Sequence, residues 1–213
     1  LIIIISTLLI SACSASYEKL KNIENSNENT LKNHLLNAYK EKAKFEAEEM
    51  HDWNSAKLFS EKALFALDGR EIKPQEIDYW KLPESSIAEL KVSNNNLLKI
   101  YDKAKKIDPY NLAVAVSSLD CWAEQQEENW QTDHIKKCKN DYLQSMHIIY
   151  EKIIDKTKNN SEYSEKLSTN PNSESVTIIK KNKRNEILEI IYFDFDKAKL
   201  SDVSIKEIKN FLT

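Results

Sequence analysis

The stretch IDPYNLAVAVSSLDCWAEQQEENWQTDHIKKCKNDY, from Ile107 to Tyr142, decides the fold class. Asp108-Pro109 ends one helical pattern and opens another, because proline has no N–H to donate and a φ suited to the first helical position. Apolar groups then recur at Leu112, Val116, Leu119, Trp122 and Ala123, at helical spacing, to about Asn129. Thr132 or Asp133 caps a following helix that carries Ile135, Cys138, Tyr142, Met146, Ile149 and Ile153. The chain turns near Trp130-Gln131. Cys121 and Cys138 lie about equally far from that turn, so an antiparallel hairpin sets them face to face, within disulfide reach. Closing a ring of this size stabilises by about 3 kcal/mol. The alternative is two buried free thiols, and the spacing excludes a CxxC redox site.

Upstream the same helical period continues. Leu31, Leu35, Ala38, Tyr39, Phe45 and Met50 predict a helix over 31–50. Asp52 caps the next, whose buried stripe is expected to be Trp53, Ala56, Ser60, Ala63, Leu64 and Leu67. Gly69, the only glycine of the chain, stands where a left-handed residue ends a helix at least cost. Residues 70–83, with Pro74 and Pro83 around Tyr79-Trp80, predict a long loop with an aromatic anchor. Ser86 and Glu89 form a capping-box pattern for a third helix bearing Leu90, Leu97, Leu98, Tyr101, Ala104 and Ile107. One Gly and four Pro argue against an all-β chain full of tight turns. The fold class expected is mainly α. The Ala and aromatic spacing, with Trp53 ahead of Ala56, Phe59 and Ala63, resembles tetratricopeptide-type helix pairs, although no 34-residue period repeats.

Composition narrows the function classes. A net charge of −3 with both signs mixed gives no basic stripe for nucleic acid. No GxGxxG, GxxxxGK[ST], HExxH or GxSxG pattern occurs, so no cofactor, catalytic residue or enzyme activity is expected. Glu124, Glu127, Glu128 and His134 share helical spacing, but a Glu/Gln-rich run ending at a turn reads as a solvated face and not as a metal site. His51 and His147 have no nucleophile nearby in sequence, and Trp53, Trp80, Trp122 and Trp130 read as core and loop anchors.

The first residues carry a different signal. Leu1 to Ile10 is apolar but too short to span a membrane, and it ends in Ile10-Ser11-Ala12-Cys13. This resembles a bacterial lipobox, which implies lipidation at Cys13, residues 1–12 as a signal peptide, and 13–29 as a lipidated tether. The other reading is a buried N-terminal strand with an incidental cysteine. Neither an initiator Met nor a basic n-region precedes Leu1, so the chain is expected to be a piece of a longer one.

A helical domain over 30–154 should be followed by a polar linker, 155–175, poor in apolar groups. A coil of about 20 residues has an r.m.s. span near 25 Å. Val176-Thr177-Ile178-Ile179 and Ile187 to Phe195 then read as strands, and Ser201-Asp202 as the cap of a helix. Ile191-Tyr192-Phe193-Asp194-Phe195-Asp196-Lys197, with Leu200 following, resembles the opening strand of the OmpA-like peptidoglycan-binding domain, and residues 176–213 the N-terminal part of it. Asp120-Cys121-Trp122 and the Glu/Gln run after it also resemble the helical region of OmpA-family lipoproteins. The resemblance implies a β-α-β-α-β-β fold whose pocket acid and arginine would lie beyond Thr213. It makes Asp194, Phe195 and Asp196 border residues of that pocket. Asp194 and Asp196 can equally fix the turn by side-chain to backbone hydrogen bonds. The implied function is a non-enzymatic, lipid-anchored outer-membrane protein on the periplasmic face that holds peptidoglycan in its full-length form. The alternative is an anchored module that binds a periplasmic protein.

Overall fold

The computed structural model describes residues 15–167, with side chains through Thr157, all within one compact unit of the chain. Among these residues there are six helices and no strand, so the fold is mainly α. They are α1 (15–21), α2 (Leu31–Phe45), α3 (Trp53–Leu67), α4 (Glu84–Ile107), α5 (Pro109–Glu128) and α6 (Thr132–Leu167). No described helix is long and apolar enough to cross a membrane.

Helix ends follow local chemistry. Thr30 Oγ1 accepts from the Asn33 N–H at the start of α2, and Asp52 Oδ1 accepts from Asn54 and Ser55 N–H at the start of α3. The α2 backbone widens into one π-helical turn, Glu46–Met50, and closes on a left-handed His51. Past α3, Gly69 adopts φ 80°, its N–H donates to Ala66 O, and Arg70 N–H donates to Phe65 O. This paired closure is the Schellman motif, and it needs the positive φ that glycine supplies. Asp108 Oδ1 accepts from Asn111 N–H, Pro109 fills the first position of α5, and Asn129 at φ 54° ends it.

Three boundaries differ from the sequence expectation. α4 starts at Glu84, and the Ser86 hydroxyl donates to Pro83 O instead of capping from outside. The polar segment placed in a linker from 155 is helical as far as Leu167, as the continuation of α6. Residues 15–29, placed in the tether, are docked: Tyr17 and Leu20 are buried, and Ser26 and Asn37 exchange two hydrogen bonds of 2.8 and 3.1 Å. A low content of apolar groups signals exposure, which a helix or a pinned extended segment satisfies as well as coil.

α5 is the central helix. It packs on α2, α4 and α6, and thirteen of its twenty residues are buried, which leaves almost no solvated side. A helix enclosed on all sides has no single apolar stripe. The core around it takes Leu35, Leu36 and Tyr39 from α2, Leu90, Leu97 and Tyr101 from α4, and Tyr142 and Ile149 from α6, while Phe59, Ala63 and Ala66 of α3 extend it behind α2. Each fully buried large apolar side chain contributes about 1.5–3 kcal/mol. In α3 the buried face is Ser55, Ala56, Phe59, Ser60, Lys62, Ala63 and Ala66, so the stripe is rotated from the one expected. Trp53 is 37% exposed and meets Tyr17 edge-on at 6.3 Å. Of the four tryptophans, Trp80 and Trp122 are buried anchors, whereas Trp130 stands 68% exposed at the α5–α6 turn.

Candidate functional site

Cys13, Asp194, Phe195 and Asp196 lie outside the described residues. Cys121 and Cys138 do meet. They form a disulfide between α5 and α6 with Cα atoms 5.7 Å apart, and both residues are buried.

The centre of the bundle is polar at one point. Asp120, 1% exposed, pairs with Lys62, accepts from the Tyr39 hydroxyl at 2.6 Å, and accepts from Gln75 N–H at 2.6 Å. Lys62 also donates to Lys73 O at 3.0 Å. Burial first, and then the Asp120 charge, hold the Tyr39 phenol well above its ordinary pKa. With Tyr101 OH donating to Ile72 O and Lys81 N–H donating to Glu127, these bonds tie down the 70–83 loop, whose Trp80 is buried as the expected anchor. Asp120, Lys62 and Tyr39 each have partners, so this cluster is a structural fastening.

A second cluster lies at the C-terminal end of α5. The π-helical turn and the left-handed His51 bring Asp52 back toward the bundle, and α5 presents Glu124 and Glu128 one turn apart. One carboxylate oxygen from each of Asp52, Glu124 and Glu128 lies within 4.8 Å of the others. Glu46 faces the same three charges, and the Gln125 amide donates to Glu124 Oε2 at 2.7 Å and toward Glu46 Oε1 at 3.4 Å. Glu46, Glu124 and Gln125 are each 1% exposed or less. Burial, reinforced by Glu124 and Glu128, pushes the Glu46 carboxyl up to about 9. Burial pushes Glu124 up to about 7, partly offset by the Gln125 amide, and it raises Glu128 too.

This overturns the solvated-face reading of the Glu/Gln run. Glu124 and Gln125 are buried because α5 is central, not an edge helix. The group brought together also differs from the one considered in sequence: Glu127 bonds to Lys81 N–H, the His134 ring packs edge-on against Phe45 at 5.0 Å, and Asp52 joins Glu124 and Glu128. Of the other histidines, His34 bonds Asn29, His51 faces Ala47 O, and His147 lies 3.3 Å from Glu151. No family model matches the chain, and no curated protein or solved structure matches it.

Proposed function

We propose that this chain is a lipid-anchored outer-membrane protein whose helical domain works in the periplasm and whose C-terminal segment contributes to peptidoglycan binding in the full-length protein. The observation that carries the reading is the Cys121–Cys138 disulfide. Structural disulfides persist in oxidising compartments outside the cytoplasm, the destination that an apolar leader ending in Ile10-Ser11-Ala12-Cys13 implies. Two or three acyl chains at Cys13 would hold the protein far more firmly than the marginal grip of one. The resemblance of Ile191 to Leu200 to an OmpA-like strand supplies the wall contact, and the helical pairs α2–α3 and α5–α6 suit a repeat-like spacer. A protein-interaction module is the second reading, favoured by Trp130, an aromatic residue 68% exposed on a turn.

The test is metabolic labelling. Expressed from its own gene in a Gram-negative host fed an alkyne fatty acid, the protein should carry label in the outer-membrane fraction, and Cys13→Ala should lose it. Equal labelling of Cys13→Ala would remove the lipid anchor. Labelled protein that fails to sediment with purified peptidoglycan would remove the wall contact and leave the interaction module.

A further inference from the structure

We propose that Asp52, Glu124 and Glu128 form a binding site for a hard divalent cation, with calcium the best match, backed by Glu46 and Gln125. This does not rest on the lipid anchor or on the wall contact.

The spacing comes first. Two oxygens bound to one calcium ion at 2.3–2.6 Å can stand no more than about 5 Å apart. The three carboxylates already offer oxygens within 4.8 Å of one another, drawn from the α3 cap and the last turns of α5. An ion fits with little rearrangement. Asp52 and Glu128 are half-buried and Glu124 is buried, so the site has an open side and a closed floor.

The independent observation is a set of oxygens without donors. Glu46 Oε2, Gln125 Oε1, Glu124 Oε1 and Glu128 Oε2 are buried with no donor in hydrogen-bonding geometry, while the Ser55 side chain stands by Glu124 and the Trp130 side chain by Glu128. Buried polar atoms are nearly always satisfied, so the Glu124 oxygen inside the cluster calls for a donor, a shared proton or a cation. The Gln125 amide nitrogen is committed to Glu124 and Glu46, which leaves its own oxygen as an acceptor only. Among the described residues no ion pair reaches Asp52, Glu46, Glu124 or Glu128. Lys42 lies near Glu46 and His134 near Glu128, and neither closes on a carboxylate.

The donor chemistry selects the ion. Carboxylate and amide oxygens suit calcium, magnesium and manganese, whereas zinc and copper favour imidazole and thiolate. Three carboxylates from two elements, the α3 cap and α5, suit the flexible coordination of calcium better than the near-ideal octahedron that magnesium demands. The ion would join the corner between α2 and α3 to the end of α5.

The full chain, stripped with EDTA at pH 7.5, is titrated with calcium, magnesium or manganese chloride and followed by calorimetry and thermal melting. Calcium should bind with one-to-one stoichiometry and raise Tm. Asp52→Asn, which keeps the helix cap, and Glu128→Gln, which is half-buried, should each weaken binding tenfold or more. Glu127→Gln should leave it unchanged. No heat and no Tm change up to about 10 mM, above the weakest extracellular calcium sites, would overturn the proposal. So would equal binding by the wild type and the Asp52 and Glu128 variants, which would put the ion elsewhere. Glu124→Gln stabilising a protein that ignores all three ions would overturn it too, because the cluster would then share protons.

Discussion

Removal of the Asp120 carboxylate tests how the bundle is fastened. In Asp120→Ala the Lys62 ammonium, 8% exposed, keeps Lys73 O, a long contact to the Tyr39 hydroxyl at 3.5 Å and the Tyr39 ring face, none of them a charge. The loop N–H of Gln75 loses its acceptor at the same time. Breaking a buried pair by deleting one partner costs about 3–5 kcal/mol, because the remaining charge stays buried without compensation. Total stability is usually about 5–15 kcal/mol, so this loss is a large share of it. Asp120→Asn keeps the shape and one acceptor and should cost about half as much, as expected when the charge alone is lost. The double variant Lys62→Met with Asp120→Leu removes both charges and should recover the part of the loss due to the uncompensated ammonium. What remains is the unpaired Tyr39 hydroxyl and Gln75 N–H, about 1–3 kcal/mol per group left unsatisfied. Urea denaturation followed by circular dichroism, with the disulfide intact, measures all three. A loss under about 1 kcal/mol for Asp120→Ala, or a double variant no more stable than the single, would refute the reasoning.

The disulfide should contribute about 3 kcal/mol, so Cys121→Ser and Cys138→Ser should lose equal amounts and reductant should cost the wild type the same. Alkylation of both thiols in unreduced protein would remove this expectation. In EDTA the stability should fall between pH 5 and 9. Glu46 and Glu124 hold protons in the folded state up to about 9 and about 7, whereas the unfolded chain releases them near 4.5. The stability they contribute is full below 4.5 and is lost as pH rises through the folded values. Glu46→Gln should flatten most of that fall in Tm, and an unchanged slope would refute the assignment.

The helix ends were legible because caps are local. Asp52, Gly69 and Asp108-Pro109 act within three residues of themselves, so sequence alone locates them. The Cys121–Cys138 pairing was legible for the same reason, since one turn relates the two positions. What a helix side packs against is not local. Glu124 and Gln125 looked solvent-facing because neighbouring residues are polar, yet their environment is set by Glu46 and Asp52, far away along the chain. Trp53 failed as a core residue because the buried face of α3 runs through Ala56, Phe59, Ala63 and Ala66, and Trp53 sits at its rim against Tyr17. The π-helical turn after Phe45 has no composition signal, and it is what swings Asp52 into the cluster.

The enclosure of α5 has a kinetic consequence. Its partners across the core are remote in sequence: Tyr39 reaches Asp120 over 81 positions, and Glu46 reaches Gln125 over 79. α2 and α3 can meet as soon as both exist, but the face they share, with Leu35, Leu36 and Tyr39, stays open until α5 arrives. An up-and-down bundle closes through neighbour contacts and folds fast, whereas a helical chain that must thread its last contacts onto an early pair has a higher contact order and folds more slowly. A chain delivered from its N-terminus therefore waits with an uncovered apolar surface until about residue 128 has emerged, and that interval is where a holding chaperone would act.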